Sequence, residues 1–290
     1  AFLDPEDRYS MDWGFSVGRQ PILIQDGLLV NDDLDSVGLV RNNRLPTTGS
    51  NWRHTFLYAW DEIHLGDNHE TNSVDLFGLF NQYDGVVSTV EADLVYVDDE
   101  EDLSSGFYWG LSSSQRIGHQ NLTLRALGSH ALDESSAAVN DGLLLFGEWS
   151  TTPPHTHDLI YANLFWGIDH FTSAARGPDR GGPLGRAGIL FEAIGLGHYP
   201  GPLGNHAEES VGGALGLQTF YGHDRRRQLI LELGGRTGTE SEAEDSSAAF
   251  GGRFQQALGR RFVLQFDAFG AWHETLDERY GARAAIRVQF

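Results

Sequence analysis

An alternation of apolar and polar side chains, two residues in period, recurs along this chain and limits what it can fold into. Near the C-terminus, Tyr280, Ala282, Ala284, Ile286, Val288 and Phe290 share one parity, and Arg279, Arg283, Arg287 and Gln289 hold the other. Successive side chains of a strand point to opposite faces, so this segment has one oily face and one face of guanidinium groups. The pattern repeats: Leu229, Leu231 and Leu233 oppose Gln228, Glu232 and Arg236, and Phe262, Leu264, Phe266 and Ala268 oppose Gln265 and Asp267. Val90, Ala92, Leu94 and Tyr96 oppose Glu91 and Asp93, Leu122, Leu124 and Ala126 oppose Thr123 and Arg125, and Phe250 and Phe254 oppose Arg253 and Gln255. A soluble sandwich would bury the apolar parity and show the same strand pattern. A membrane barrel would turn it toward lipid and the charges toward a wet interior.

Composition narrows the choice. No run of 18 apolar residues exists, so no transmembrane helix is expected. The 36 glycines are spread through apolar segments, most of them singly, which weakens helices and suits curved or bulged sheets. There is no cysteine, and a closed, hydrogen-bonded barrel needs no disulfide to hold it. All 20 basic residues are arginine, and the net charge of -21 would repel nucleic-acid phosphates. There is no phosphate-binding glycine loop, no Gly-x-Ser-x-Gly elbow and no haem-attachment site, so no cofactor and no enzyme activity are expected. The start, Ala1-Phe2-Leu3-Asp4-Pro5, lacks the charged and apolar regions of a signal peptide, so an exported form would already have lost one.

The expected fold is all-β: a single antiparallel up-and-down transmembrane β-barrel over 1–290, of about 14 strands with 12 or 16 as alternatives. The spans are Asp12–Gln20, Ser36–Arg41, Trp52–Trp60, Ser73–Gln82, Ser88–Val97, Gly106–Gln115, Asn121–His130, Gly142–Ser150, Leu159–Phe171, Val211–Gly222, Gln228–Arg236, Ala248–Leu258, Arg261–His273 and Tyr280–Phe290, of which Ser36–Arg41 is short for a crossing. Their connections alternate in character. Gln25–Asp35, Asp61–Asn72, Asp98–Ser105, Ala131–Asn140, Thr172–Ser210, Thr237–Ser247 and Glu274–Arg279 are longer and mostly acidic. The intervening ones are mostly shorter, and several carry arginine (Arg44, Arg116, Arg225 to Arg227, Arg260). Long outer loops and short periplasmic turns are the habit of outer-membrane barrels, which would put both termini on the periplasmic side. Trp13, Trp60, Trp109, Trp149, Trp166, Tyr221 and Trp272 lie near strand ends, where interfacial girdles form.

The C-terminal segment, with Phe290 last and Val288, Ile286 and Tyr280 on its parity, resembles the terminal signature of bacterial outer-membrane proteins. The resemblance implies recognition by the barrel-assembly machinery through Phe290, residence in the bacterial outer membrane, and lipid and lipopolysaccharide as surroundings. The first half, through Val17-Gly18-Arg19-Gln20, Asp26-Gly27, Asn31-Asp32, Val74-Asp75-Leu76-Phe77 and Val90 to Tyr96, is similar to alginate-export-type and related porin-like barrels, which are usually longer with more strands.

On the inward parity the pattern places Arg125, Arg236, Arg253, Arg279, Arg283 and Arg287, together with Asp75, Glu91, Asp93, Glu148, Asp169, Glu232 and Asp267. The arginines concentrate in the last four strands and the carboxylates in those from Ser73 to Phe171, so a closed barrel would oppose two walls of charge and tune ion preference. Mutual pairing that plugs the interior is the competing arrangement. The longest connection, 172–210, has an apolar middle from Ala187 to Ile194 and is expected to fold inward, with Arg180, Arg186 and Glu192 near the constriction. Asp98, Asp99, Glu100, Glu101 and Asp102 offer oxygen ligands for a divalent cation, or for one bridging to lipopolysaccharide, although there is no EF-type spacing and solvated, repelling charge is the favoured reading of the run. His64 and His69, and His155 and His157, lack a third spaced ligand. The function these features favour is a pore for ions or small hydrophilic solutes. A structural barrel sheathing or docking a periplasmic or envelope partner is the alternative, and a lipase using His170 with Ser173 ranks third.

Overall fold

The computed structural model describes residues 11–45, 49–60, 62–64, 71–98, 105–132, 139–154, 156, 158–176, 209–222, 226–239, 246–259, 261–274 and 277–288. Fourteen long strands account for most of them: β1 (Met11–Ile24), β2 (Val30–Leu45), β3 (Ser50–Trp60), β6 (Asp75–Asp84), β7 (Ser88–Asp98), β8 (Gly106–Ile117), β9 (Gln120–Ala131), β10 (Gly142–Thr151), β11 (Leu159–Asp169), β13 (Ser210–Tyr221), β14 (Arg227–Gly238), β15 (Ser247–Leu258), β16 (Phe262–His273) and β17 (Arg279–Val288). They form one sheet in sequence order, as an up-and-down design requires. Three short strands interrupt the numbering: β4 (Glu62–His64) pairs with β5 (Thr71–Ser73), and β12 (Ala175–Arg176) runs parallel to β2 at Val30 and Asn31. No helix among the described residues is long and apolar enough to cross a membrane.

The all-β class, the fourteen strands and their antiparallel order agree with the sequence pattern. One span differs greatly. The second strand, expected as Ser36–Arg41, runs from Val30 to Leu45, and β1 pairs with it from Met11↔Asn43 to Ile24↔Val30. Asn31, Asp32, Asp33 and Asp35 are poor strand residues by propensity, but a full-length partner overrides propensity. The first connection is therefore shorter than the expected Gln25–Asp35. It is a 3-10 turn, Gln25–Gly27, with Leu28 and Leu29 completing the link.

The chain divides into two compact units. In the first (Ala1–Arg116, Thr123–Leu145, Gly167–Pro183), one face of the strands carries large exposed apolar side chains and the other is buried. On the exposed face, Val37, Tyr58, Phe77, Tyr96 and Phe107 stand side by side across β2, β3, β6, β7 and β8. Ring centroids 4.9 Å apart for Tyr58 and Phe77, and 6.3 Å for Phe77 and Tyr96, mark an aromatic band. The inner face is packed as tightly as a soluble core: Leu34, Leu76, Val95, Val97, Leu127 and Leu144 are fully buried.

Two connecting segments fill that inner face. The first is the turn at Gln25 with Leu28 and Leu29, all buried. The second is Phe171 to Ala175, the start of the longest connection, also buried. They are zipped together: Ser173 Oγ donates to the Leu28 carbonyl at 2.9 Å and Ala174 N donates to the Leu29 carbonyl at 2.9 Å, before the parallel pairing of β12 with β2. Backbone that leaves a sheet must satisfy its polar groups elsewhere, and here each segment supplies partners for the other.

In the second unit (Ile117–Leu122, Phe146–Trp166, Leu184–Phe290), an unbroken antiparallel ladder runs from β11 through β13, β14, β15 and β16 to β17. Its outer face exposes Leu164, Leu215, Leu233, Phe250, Phe266 and Ile286. Register places the alternate residues opposite one another on the inner face. Rows such as Tyr161–Gly216–Glu232–Gly251–Phe269–Gly281 and Ile230–Arg253–Asp267–Arg283 cross it.

Candidate functional site

The polar side chains of the inner faces form two separate networks, one in each unit. In the first unit the network gathers around the 3-10 turn. Gln25 Nε2 donates to Asp93 Oδ2 at 2.6 Å, and the Asn81 backbone N–H donates to Asp93 Oδ1 at 3.3 Å. Arg125 pairs with Asp26. Ser112 Oγ donates to Glu91 at 3.0 Å on the same face of β7 and β8. The strands supply these groups by parity: Glu91 and Asp93 alternate with the exposed Val90 and Leu94, and Arg125 alternates with the exposed Leu124. Nearby, Asp32 Oδ2 accepts from both the backbone N–H of His64 and its Nδ1, the latter at 2.9 Å.

In the second unit Asp267 is the hub. Its carboxylate has no exposed surface and accepts Arg253 Nε at 2.7 Å, Gln265 Nε2 at 2.6 Å, and Arg283 through Nε at 3.0 Å and Nη2 at 2.7 Å. Gln255 Nε2 extends the chain of donors to Gln265 Oε1 at 2.9 Å. The cross-strand register fixes this geometry, because Arg253, Asp267 and Arg283 are direct neighbours on three adjacent strands. Two guanidinium groups hold the one Asp267 carboxylate, and Arg279 and Arg287 stand exposed on the same face of β17. Next to this wall, Tyr161 Oη donates to Glu232 at 2.8 Å. Asn163 Oδ1 accepts the backbone N–H of Ala214 at 2.8 Å.

The structure places most of these residues on the strand face opposite the exposed apolar side chains. Arg125, Glu91 and Asp93 meet in the first network, and Arg253, Arg283, Asp267 and Glu232 belong to the second. Arg236 and Glu148 take the inner parity of β14 and β10, and Asp169 ends β11, exposed, with φ of 53°. Asp75 is a correction. It shares the outer parity of Phe77 and Leu79, and Tyr58 Oη donates to it at 2.9 Å. In Val74-Asp75-Leu76-Phe77 two apolar residues are adjacent, so local alternation does not fix the parity, and a carboxylate at the strand end can face outward beside a phenol. Many of these ions are paired on their own wall. Ser173 is buried with its hydroxyl on a backbone carbonyl, which removes the motive for pairing it with His170. Arg180, Arg186, Glu192, Asp99, Glu100, Glu101, Asp102, His69, His155, His157 and Phe290 lie outside the described residues. Among the described residues no group of three metal-ligating side chains forms.

Gln25, Asp26, Gln255, Gln265 and Tyr161 are participants that the sequence reading did not place among the candidate site residues. The signal for the first two was legible: Leu28-Leu29-Val30 follows directly on Asp26-Gly27, and an apolar run does not suit an exposed acidic loop. An apolar hollow of about 410 Å³, lined by Leu39, Phe56, Tyr58, Phe77, Leu94 and Tyr96 among others, lies on the outer face of the first unit.

No family model matches the chain, and no curated protein does. Solved structures do share the fold. OccK1 (OpdK) of Pseudomonas aeruginosa superposes with a TM-score of 0.61 at 13% identity, over 95% of this chain and 75% of that one. OccK5 (OpdH) of the same organism gives 0.55 at 12% identity, over 94% and 75%. Wzi of Escherichia coli, an outer-membrane protein of group 1 capsule assembly described as a carbohydrate-binding β-barrel, gives 0.53 at 12% identity, over 91% and 64%. The chain thus has the fold of outer-membrane β-barrels.

Proposed function

We propose that this chain is an outer-membrane barrel that passes small polar solutes, with the inner face of the second unit as a wall of the path. The observation that carries the reading is the contrast between the two faces of the same strands. Leu233, Phe250, Phe266 and Ile286 are bare on one face, while Glu232, Arg253, Asp267 and Arg283 occupy the other at mid-strand. In water such a face would be an aggregation liability, and in hydrocarbon it is the favourable one. The Pseudomonas neighbours support the fold side of the argument, and OpdK has also been solved with vanillate. The arginine excess on β15 and β17 favours anions over cations along this wall.

The packed inner face of the first unit favours a second reading, in which the barrel is a structural element with no free channel. Planar-bilayer recording separates the two. A pore gives discrete current steps, and a reversal potential displaced toward the anion. A detergent-purified, folded protein that gives no steps refutes the pore.

A further inference from the structure

The oily band on the outer face is not equally tall in the two units. On β14 of the second unit the polar positions that bound it, Arg227 and Thr237, stand ten residues apart. On β2 and β6 of the first unit the bounding pairs are Asp35 with Arg41 and Asp75 with Asn81, six residues apart in each case. At about 3.3 Å per residue and a tilt of about 40°, ten residues rise about 25 Å, a full hydrocarbon belt, and six rise about 15 Å. The shortfall lies at one level. Register sets Arg41, His54 and Asn81 side by side on β2, β3 and β6, all on the outer parity and all half-exposed. The next outer row beyond them is Asn43, Trp52 and Tyr83, with the rings of Trp52 and Tyr83 5.3 Å apart. A polar row thus lies inside the aromatic girdle.

The row is held in place. Arg41 Nε donates to Asn43 Oδ1 at 3.2 Å, and its guanidinium carbon lies 5.3 Å from the centre of the Trp13 ring. Asn81 Nδ2 donates to the Ala92 carbonyl at 3.1 Å, so its oxygen is the acceptor for His54 Nδ1–H at 2.7 Å. Neither outer row, Trp13–Arg41–His54–Asn81–Ala92 nor Asn43–Trp52–Tyr83–Val90, contains a carboxylate. On the other side of the polar row the apolar hollow begins, first over Leu39, Phe56 and Leu79 and then, one row farther, over Tyr58, Phe77 and Tyr96.

We infer that this face binds one phospholipid, with its phosphate on Arg41 beside His54 and an acyl chain in the hollow. A fixed guanidinium complements a phosphate diester, and the chain covers the two apolar rows that adjoin it. The headgroup then sits deeper than those around it, and a short band meets a bilayer in this way, by local thinning. The site is on the lipid side and holds whether or not the barrel conducts.

Native mass spectrometry of the folded, delipidated protein in detergent tests this, with palmitoyl-oleoyl phosphatidylglycerol, palmitoyl-oleoyl phosphatidylethanolamine and dioleoylglycerol as probes. The two phospholipids should be retained one per chain, and dioleoylglycerol, which lacks the phosphate, should bind at least about tenfold more weakly. Arg41→Gln should weaken both phospholipids about tenfold, while Arg44→Gln, the same change of charge on the opposite face of β2, should leave them unchanged. Leu79→Trp, which fills the hollow and leaves the charge alone, should weaken all three and serves if Arg41→Gln does not fold. Equal phospholipid binding by Arg41→Gln and the wild type overturns the site, as does equal binding by Leu79→Trp or equal retention of dioleoylglycerol. A preference for lipid A, or a lipid-free dimer in which a second copy covers the face, also overturns it.

Discussion

Gly216→Ala is the most informative single change available. Gly216 lies on the inner face of β13, directly opposite Tyr161 and Glu232 on its two neighbours. A Cβ there would fall 2.0 Å from Tyr161 Cζ, 2.3 Å from its oxygen and 2.4 Å from Cε2. The ring thus lies flat across the place of the missing side chain, and so its hydroxyl reaches Glu232 at 2.8 Å. Alanine would expel the whole ring. The loss is a hydrogen bond to a charged acceptor, about 1.5–3 kcal/mol, together with an overpacking cost of about 1–3 kcal/mol, so the total is about 2.5–6 kcal/mol. The backbone at Gly216 lies outside the left-handed region, so alanine carries no conformational penalty of its own. The assay is urea unfolding in detergent or lipid, followed by the fluorescence of the 7 tryptophans. A double-mutant cycle isolates the cause. In a Tyr161→Ala background nothing remains to collide with, and Gly216→Ala should cost less than about 1 kcal/mol, a coupling of at least about 1.5 kcal/mol. Additive effects would refute the account of the ring resting on the glycine.

Three further outcomes are expected. Arg283→Ala removes one of two cations from Asp267 while leaving Arg253 paired, so anion preference should fall, read as a shift of the reversal potential toward the cation; an unchanged potential would place Arg283 away from the solute path. Asp267→Asn removes the buried negative charge that Arg253 and Arg283 share and should cost about 3 kcal/mol in the same unfolding assay, whereas a neutral result would mean that water reaches this cluster freely. Leu233→Arg puts a charge on the exposed apolar face at mid-strand and should cost about 2–4 kcal/mol in bilayers and far less in a denaturant-containing detergent; equal stability in both would argue that lipid does not touch that face.

The course of the chain was largely written in its alternation. β14 to β16 were legible to within a residue or so, because Leu229 to Leu233 and Phe262 to Phe266 repeat the period without interruption. The failures lie where local signals conflict. Acidic residues at Asn31 to Asp35 hid the first third of β2, since a strand's partner, which sequence does not name, can outweigh propensity. Asp75 went to the wrong face because Leu76 and Phe77 break the alternation beside it.

What the sequence by itself determined was the sidedness of each strand: side-chain parity is a property of the backbone repeat, and hydrocarbon and water sort it without help from the rest of the fold. Only the tertiary structure decided how the charges pair. Arg253, Asp267 and Arg283 are 14 and 16 residues apart in sequence and meet because ladder register sets them side by side. Gln25 and Asp93 are 68 apart and meet because a strained turn leaves the sheet. Register and inward folding are set by the sum of many distant contacts, and no local stretch of residues carries that sum.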